Sequence, residues 1–517
     1  MRPLGALLVV LLLLALAPAS ATALTGKFYT HLISRSMDGG FPDRPSRNPA
    51  ISSDERVTQL VAFESDATNL VPNDTNGMTD VFAVHRAPPW LFWGTEWFPG
   101  PTVLVSSGMN GEPANGRSWG AALDGGPYKV PSCVAFISEA SNLVPGDTNG
   151  VADAFVRDLN TGFILRVSVD SFGNQGTGPT DDIDIDGACQ RVAFSSRAGN
   201  LTFKKAPKRE WRSAEIKRGR RPGRRQVYGH IIWEGPDGPF NGLTFMISAR
   251  KKRAGNAESG QPAITRQGRT VVFSSLATNL SPRDTNGKFD IYEHMFRRRT
   301  LESSKGPYQS LRLFTGLASV TDSWKPSNGH STNPVVTDGG HYVAFETRAD
   351  NLVAGDHNNT SDVIRRRLVH SAGPVDTPGR TERNMLVSRA LDDRGGNGPS
   401  GNPAITGVGA WVFFESAAKN LIRKHPNSNE MNSFRWSRVS NTVSRQIRDR
   451  RPDRKTPRPY KRSVRNPETS SHGNYVLFET ANPRADHGMA ARDGDPGASL
   501  TQVYMQYWGG CPNYPRC

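Results

Sequence analysis

The chain has 517 residues, a formal net charge of +16 and four cysteines. Its 51 glycines and 37 prolines stay below the ~25–30% that marks a low-complexity chain and instead suit a protein rich in turns. Beyond the first residues no segment is long and apolar enough for a transmembrane helix, which excludes a helical membrane protein.

Residues 1–23 have the pattern of a secretory signal peptide, with Arg2 followed by an apolar stretch and then by small residues. The apolar stretch, from Ala6 to Ala17, is 12 residues long. At 1.5 Å per residue it is too short to cross a bilayer core of ~30 Å. We therefore expect the mature chain to be secreted and extracellular, or to lie in the periplasm or cell envelope if its source is bacterial.

Residues 24–510 form one predicted domain built from seven repeats. Each repeat contains a short apolar strand that ends in phenylalanine, and the steps between successive phenylalanines range from 58 to 79 residues. A repeat of this period determines the architecture before local propensity does. The seven residues are Phe63, Phe136, Phe194, Phe273, Phe345, Phe414 and Phe478.

The repeat that begins at Asn333 shows the unit most clearly. Asn333 to Thr337 is a short strand, a Gly-containing turn follows, and Tyr342 to Glu346 is a second strand with two further apolar segments after it. Short strands parted by Gly, Pro, Asn and Asp turns are typical of antiparallel sheets, which form a β-propeller when arranged radially. We predict an all-β fold, a seven-bladed β-propeller of four-stranded antiparallel blades, with six or eight blades as alternatives. The blade cores are expected near 48–106, 130–169, 182–248, 261–320, 333–389, 402–445 and 466–507.

The two ends of the repeat array each hold an incomplete blade. The last repeat lacks a fourth strand, whereas an apolar segment at 30–36 stands alone before the first repeat. Ile33 lies 15 residues before Asn48, the same spacing that separates Val387 from Asn402. We therefore predict that 30–36 completes the last blade beside the Val503 strand, because this closure removes a free sheet edge.

Two loops carry the sequence signature of a known repeat. Residues 67–77 (Ala-Thr-Asn-Leu-Val-Pro-Asn-Asp-Thr-Asn-Gly) and 142–153 resemble the TolB-type propeller repeat. The resemblance implies the propeller fold, and many members of that family have six blades. Some propeller lyases of this type bind a metal through histidines, and His330, His341 and His472 lie in predicted turns, so two or three of them could converge at one end of the axial channel. We prefer the interpretation that they are histidines of surface turns.

Two unrepeated insertions carry almost all of the net charge. Residues 204–225 have a net charge of +9 and residues 445–462 of +7, which leaves the rest of the chain close to neutral. Such charge favours a polyanion partner, either an acidic polysaccharide or an anionic cell surface, although solvated loops without a ligand are the alternative. Nucleic acid is disfavoured because each insertion has a single aromatic residue for base stacking. The candidate binding residues are Lys204, Lys205, Lys208, Arg209, Arg212, Arg220, Arg221, Arg224, Arg225, Arg450, Arg451, Arg454 and Lys455.

Four repeats contain an Asp-x-Asn-x-x-x-Asp loop. Oxygen ligands at alternate positions of a loop can bind a hard cation such as calcium. Because Asp and Asn form the same turns without a metal, we prefer a turn-forming role and keep calcium as the alternative cofactor. The candidate ligands are Asp74, Asn76, Asp80, Asp147, Asn149, Asp153, Asp284, Asn286, Asp290, Asp356, Asn358 and Asp362.

The four cysteines suit an oxidising compartment. Cys133 and Cys189 precede equivalent strands of the second and third repeats, so a disulfide between them is possible, with free buried thiols as the alternative. Cys511 and Cys517 bracket a short C-terminal tail at 511–517 and could close a small loop.

The sequence contains no Gly-x-Ser-x-Gly or His-Glu-x-x-His motif. We therefore expect a secreted, non-catalytic binding or scaffold protein whose basic loops contact an extracellular polyanion or a protein. One alternative is a carbohydrate-active enzyme such as a polysaccharide lyase, with its site in the axial channel. A structural component of a wall or envelope is the other.

Overall fold

A computed structural model describes residues 28–53, 58–87, 97–126, 130–202, 223–235, 238–251, 253–301, 308–368, 384–423, 430–445, 463–481 and 500–508. The predicted signal peptide, the Cys511–Cys517 pair and most of the two basic insertions lie outside these residues. Within them no helix has the length and apolar character needed to cross a bilayer.

The described residues form seven four-stranded antiparallel sheets, which confirms the predicted all-β, seven-bladed propeller. The first strand of the chain, β1 (Phe28–Leu32), belongs to the last blade. Blade 1 contains β2 (Ser46–Ile51), β3 (Leu60–Ser65), β4 (Asp80–Arg86) and β5 (Pro99–Leu104). Blade 2 contains β6 (Ser118–Leu123), β7 (Cys133–Ser138), β8 (Asp153–Asp158) and β9 (Ile164–Arg166). Blade 3 contains β10 (Thr180–Ile185), β11 (Arg191–Ser196), β12 (Gln226–Gly235) and β13 (Gly238–Met246).

A small hairpin of β14 (Ala249–Arg250) and β15 (Arg253–Ala254) connects blades 3 and 4. Blade 4 contains β16 (Ser259–Ile264), β17 (Thr270–Ser275), β18 (Asp290–Leu301) and β19 (Tyr308–Leu317). Blade 5 contains β20 (Ser331–Val336), β21 (Tyr342–Thr347), β22 (Asp362–Arg367) and β23 (Asn384–Leu386). Blade 6 contains β24 (Ser400–Ile405), β25 (Trp411–Ser416), β26 (Asn432–Ser437) and β27 (Thr442–Arg445). Blade 7 contains β28 (Arg465–Thr469), β29 (Tyr475–Thr480) and β30 (Gln502–Trp508), followed in space by β1.

The ring is closed by the N-terminal strand, as the repeat spacing predicted. β1 pairs antiparallel with β30 from Phe28–Trp508 to Leu32–Tyr504, and the Ile33 N–H donates to the Val503 carbonyl at 2.9 Å. The strand covers Phe28–Leu32, whereas 30–36 was predicted. It ends early because the chain turns back at once, with the Arg35 N–H donating to the Ile33 carbonyl.

The second strand of each blade forms the core. Its Val, Ala and Phe side chains are almost completely excluded from solvent and pack against the neighbouring blades. In six blades the strand-ending phenylalanine stacks on an aromatic ring directly opposite on the third strand, at centroid distances of 5.7–5.9 Å. Such cross-strand aromatic pairs stabilise a sheet beyond the area they bury.

The propeller has two unlike faces. Each blade begins its first strand on one face, which we call the loop face, and turns into its second strand on the opposite face, the turn face. Antiparallel order then returns the chain to the loop face between the second and third strands, and again between the fourth strand and the next blade. Both basic insertions occupy such connections, since 204–225 precedes β12 and 445–462 precedes β28. Their ends therefore leave the propeller from the same face.

A disulfide joins Cys133 of β7 to Cys189 in the first turn of blade 3, with a Cα–Cα distance of 6.0 Å. This confirms the pairing that the equivalent positions suggested and covalently links blades 2 and 3.

Candidate functional site

The seven first strands surround a cavity of about 330 Å³ on the propeller axis. Two consecutive positions of every first strand line this cavity, and we call the first of them the axial position. At this axial position most blades have a small apolar residue, and blades 3 and 7 have an acid. From blade 1 to blade 7 the residues are Ala50, Ala122, Asp184, Ala263, Val335, Ala404 and Glu468.

Asp184 is held by the backbone of two blades. Its carboxylate accepts the N–H of Ile264 in blade 4 at 2.7 Å and the N–H of Ile185 at 2.9 Å. Burial nevertheless dominates and raises the pKa of Asp184 to about 7, because desolvation disfavours the charged form. The carboxyl therefore changes charge near neutral pH.

Glu468 lies deep in the ring, and the surface it retains faces the cavity. No described residue donates a hydrogen bond to its carboxyl. Burial raises its pKa to about 8, and the nearby charge of Asp184 raises the pKa further in the same direction. The cavity wall thus carries two acids whose charged forms are poorly stabilised by the protein.

The turn face closes one end of the cavity. Arg266 reaches across the axis from blade 4, and its Nε donates to the Gly125 carbonyl of blade 2 at 2.7 Å. The same guanidinium lies 3.4 Å from a carboxylate oxygen of Asp338 in blade 5, which also accepts the Ser471 hydroxyl at 2.6 Å. Four blades therefore contribute to this floor, and its one positive charge is paired.

The loop face surrounds the other end with a ring of polar residues that we call the collar. Every first strand has a β-bulge here, and six of the bulge residues have a left-handed backbone with φ between 46° and 68°. Asn and Gly are the residues that tolerate this conformation best. The six are Asn48, Gly120, Gln261, Asn333, Asn402 and Asn466.

The collar ties neighbouring blades together. The bulge N–H of Asn48 in blade 1 donates to Glu479 of blade 7 at 2.5 Å, and that of Gly120 in blade 2 donates to Glu64 of blade 1 at 2.8 Å. The acceptor is the glutamate that follows the phenylalanine of the second strand. Three of the four repeated glutamates, Glu64, Glu415 and Glu479, are thus inter-blade acceptors, which agrees with a structural role.

Blades 3 and 4 build the same joint from other residues. Both have serine in place of the glutamate, and Ser195 donates to Asp182 at 2.6 Å while Ser274 donates to Gln261 at 2.9 Å. Asp182 and Gln261 then accept the bulge N–H of the next blade at 2.9 and 3.1 Å. Blade 2 differs from all the others, because Ile137 replaces the glutamate and Gly120 has no side chain to substitute for it.

The structure does not bring the three histidines together at one end of the channel, which was the alternative to surface turns. His330 lies on the loop face, where its Nδ1 accepts the Phe289 N–H at 3.0 Å, whereas His341 and His472 lie in first turns on the turn face. No histidine is among the described residues that line the cavity. His330 precedes a first strand, whereas His341 and His472 follow first strands. The three residues therefore lie on opposite faces of the propeller.

The four Asp-x-Asn-x-x-x-Asp loops lie on the loop face, and each asparagine has its hydrogen-bonding groups occupied. In blade 2 the Asn149 amide donates to Asp153 at 2.7 Å and to the Gly176 carbonyl at 3.0 Å, while its oxygen accepts the Val151 N–H at 3.1 Å. Asn76 and Asn358 repeat all three bonds, and Asn286 repeats the two to backbone. A serine hydroxyl donates to the last aspartate in every loop: Ser106, Ser168, Ser319 and Ser388.

The remaining candidate ligands also have protein partners in several loops. Arg166 lies 2.9 Å from Asp147, and the Tyr292 hydroxyl donates to Asp284 at 2.6 Å. Burial raises the pKa of Asp80 and of Asp290 to about 6 and that of Asp362 to about 7. In the described part of the chain, the cluster of three metal-ligating side chains is Asp124, Cys133 and Cys189, whose two sulfurs form the disulfide. These contacts suit a turn-forming role, whereas both carboxylate oxygens of Asp74 have no hydrogen-bond partner among the described residues, and the calcium alternative stays a prediction.

Asn149→Ala should lower the free energy of unfolding by about 1–3 kcal/mol, because the buried Asp153 and Gly176 acceptors lose their donor. Chemical denaturation in the presence of a chelator would measure the loss. Asn160→Ala, at an exposed turn of the same blade, should change stability by less than about 0.5 kcal/mol. A calcium-dependent rise in the melting temperature of the native chain that Asn149→Ala abolishes would instead establish the calcium alternative.

Only two of the predicted polyanion-binding residues, Arg224 and Arg225, lie within the described residues. Arg225 faces three carboxylates of the propeller, at 3.9 Å from Asp181, 3.6 Å from Asp182 and 3.8 Å from Glu258. Arg445, the first residue of the second insertion, is a buried strand residue of blade 6. The eleven other candidates lie outside the described residues.

Sequence inspection missed Asp184 and Glu468. The signal that could have found them is the axial position itself, where four blades have alanine and one has valine. A charged residue at a position that is otherwise small and apolar departs from the repeat, and function is carried by such departures.

No protein-family model matches this chain, and neither does any curated protein. Among solved structures it is similar to the acylaminoacyl peptidase of Pyrococcus horikoshii, with 10% identity over 85% of this chain and a TM-score of 0.40; the chain spans 50% of that protein's length. It is also similar to an oligogalacturonate lyase of Vibrio parahaemolyticus, with 10% identity, coverage of 94% of this chain and 97% of that one, and a TM-score of 0.41. For TolB from Acinetobacter baumannii the values are 11%, 91%, 82% and 0.32. Similarities this weak say nothing about activity, substrate or partner, and the propeller fold rests on the strand pairing.

Proposed function

We propose that this protein is a secreted, non-catalytic propeller that binds an extracellular polyanion through its basic insertions. The observation that carries the proposal is the separation of charge. The repeated body is nearly neutral, whereas residues 204–225 and 445–462 carry +9 and +7. Clustered positive charge attracts polyanions over a distance of about a Debye length, ~8 Å at physiological ionic strength.

The topology supports the proposal because both insertions leave the propeller on the loop face. The hairpin of β14 and β15 lies on this face too, beside the blade that bears the first insertion. Its Lys251 and Arg253 are exposed, and Arg250 is partly exposed. A polyanion that approaches the loop face would therefore meet basic groups from at least three segments of the chain.

Arg225 has a different role within this proposal. Its guanidinium lies among Asp181, Asp182 and Glu258, so it anchors the C-terminal end of the first insertion to blades 3 and 4. The lysines and arginines from 204 to 221 remain the candidates for contact with the ligand. The disulfide between Cys133 and Cys189 supports a location in an oxidising, extracytoplasmic compartment.

The lyase alternative has no specific observation in its favour. The described residues that line the cavity include no histidine, and Arg266 with Asp338 closes the turn-face end. A wall or envelope component would use the same basic face and is a special case of the binding role.

The proposal predicts that a variant with residues 204–221 replaced by an uncharged linker of equal length will elute from immobilised heparin below about 0.15 M salt, while the native chain stays bound. Arg225 is kept so that the propeller retains its anchor. A matched control replaces Arg297, Arg298 and Arg299 with glutamine, since this part of β18 lies toward the turn face. Equal elution of the native chain and the linker variant would contradict the proposal, and so would weaker retention of the turn-face control alone.

A further inference from the structure

The axial cavity contains two negative groups that no positive group balances. Asp184 and Glu468 occupy the same position of the repeat in blades 3 and 7. The other charged residues of the lining, Arg266 and Asp338, are paired with each other at 3.4 Å. Once both acids are ionised, the cavity therefore holds two uncompensated negative charges.

The fold does not need these acids. The equivalent residue is alanine in four blades and valine in one, so packing around the axis is satisfied by a small apolar side chain. An ionised carboxylate deep in a protein and without partners is costly, and such groups are paired or bind a cation. Glu468 has no hydrogen-bond donor among the described residues, and its carboxyl faces the cavity. A cationic partner is the group that this arrangement lacks.

The lining also indicates what kind of cation fits. Calcium takes six to eight oxygen ligands, whereas the axial ring offers two carboxylates among alanine and valine side chains. A volume of about 330 Å³ is at the lower end of the range for small-molecule sites. The exposed lining is mostly polar, and its two unbalanced acids stand in different blades, which suits a short chain with an ammonium at each end.

We propose that the axial cavity binds a short aliphatic diamine in its protonated form, with one ammonium beside Asp184, the other beside Glu468 and the alkyl chain between them. The ligand enters from the collar, where Asn48 and Asn402 are exposed, because Arg266 spans the opposite end. This site is independent of the basic insertions.

The site should release protons when it binds the amine. Both carboxyls are partly protonated near neutral pH because burial raises their pKa values, and the ammonium stabilises their charged forms. The other charges near them are Asp186, which raises the pKa of Asp184, Asp184 itself, which raises that of Glu468, and the Arg266–Asp338 pair, which is neutral overall. Aliphatic ammonium groups stay protonated up to a pKa of ~10, so affinity should rise with pH through the range in which the carboxyls ionise.

Isothermal titration calorimetry with 1,4-diaminobutane tests the proposal on the mature full-length chain. We expect saturable binding that is at least ~10-fold tighter at pH ~8.5 than at pH ~6, with proton release seen as a dependence on buffer ionisation enthalpy. Glu468→Gln and Asp184→Asn should each weaken binding by at least ~10-fold, since each removes a charge-assisted bond. Glu139→Gln, at an exposed carboxylate, should bind as the native chain does.

Two comparison probes, 1-butanol and calcium, test whether the site requires an alkyl ammonium. 1-Butanol, which has the alkyl part without the charge, should not compete, and neither should millimolar calcium. The proposal is overturned by the absence of saturable binding at millimolar diamine, by displacement of the diamine with calcium, or by unchanged affinity in Glu468→Gln. Glu468→Gln removes an unfavourable buried charge without breaking a described hydrogen bond, so it is expected to fold, and it keeps the test valid if Asp184→Asn, which loses one backbone acceptor, does not.

Discussion

A mature chain that lacks residues 24–33 should fail to form a folded monomer. The deletion removes β1, which is the fourth strand of blade 7, and with it Leu32 and Ile33, both with 0% exposure. Burial of each of these side chains is worth about 1.5–3 kcal/mol, and the backbone pairing with β30 is lost as well. The total approaches the 5–15 kcal/mol by which a typical domain is stable. We expect a chain without a cooperative thermal transition, most of it aggregated in size-exclusion chromatography.

A rearranged chain provides the control. β30 ends and β1 begins on the turn face, so residues 28–35 can be fused behind residue 508 through a short flexible linker in a chain that starts at residue 36. This variant should regain the cooperative transition because the strand again covers the open edge of β30. A deletion limited to residues 24–26 should unfold like the native mature chain. Native-like stability of the 24–33 deletion would show that β1 does not close the ring.

Glu468→Gln should stabilise the protein at pH 8 by about 2–4 kcal/mol, whereas Asp184→Asn should gain less, because an amide has one acceptor oxygen for the two N–H groups that Asp184 accepts. The folded-state pKa values are about 8 for Glu468 and about 7 for Asp184, against ordinary values of 4.5 and 3.8. Between the ordinary and the folded-state pKa the native state binds more protons than the unfolded state, so native stability falls as pH rises. A tenfold change in a proton's binding constant corresponds to about 1.36 kcal/mol, and the whole difference between the two pKa values sets an upper limit because buried sites relax. Amide variants escape this loss.

Chemical denaturation of the native chain and the variants at pH 5 and pH 8 would measure the effect. The informative quantity is the change in the free energy of unfolding between the two pH values. Asp80, Asp290 and Asp362 also have raised pKa values and add to the pH slope of both chains. Burial lowers the pKa of His230 to about 4 and that of His294 to about 3, which gives the opposite slope at lower pH. The exposed-site variant Glu139→Gln should match the native chain at both pH values. A gain for Glu468→Gln that is as large at pH 5 as at pH 8 would rule out ionisation as its cause.

The two amide substitutions should not be additive. Charge on Asp184 raises the pKa of Glu468, so the first substitution lowers the cost of ionising the second acid. In a double-mutant cycle the combined gain should therefore be smaller than the sum of the separate gains.

The ring, its blade number and its closure were predictable because they follow from repetition. Each Val-Ala-Phe strand marks one blade, and the spacing from Ile33 to Asn48 marks the fourth strand of the last one. The disulfide was predictable for the same reason, since Cys133 and Cys189 lie near equivalent strands of adjacent blades. Features that depend on one blade meeting another were less accessible, such as the bulge at Asn48 and its bond to Glu479.

The candidate cavity could not be predicted because the sequence around its two acids does not distinguish them from other acidic residues. Asp184 lies in a stretch with four aspartates within six residues, where only the alternation of a strand singles out the side chain that faces the axis. The histidines show the converse, because residues that are close in sequence lie on opposite faces of the propeller. His330 and His341 are close in sequence, but a first strand lies between them and carries the chain from one face to the other.

The collar indicates which junction between neighbouring blades is held least firmly. Blade 2 is the one blade with neither a carboxylate nor an amide to hold the bulge of its successor, since Ile137 and Gly120 stand at those positions. The covalent bond between Cys133 and Cys189 crosses this same junction. It links blades 2 and 3 on the turn face, and so holds together the two blades whose collar hydrogen bond on the loop face is missing. A reducing environment would accordingly loosen the junction between blades 2 and 3, which then has neither the disulfide nor a collar hydrogen bond.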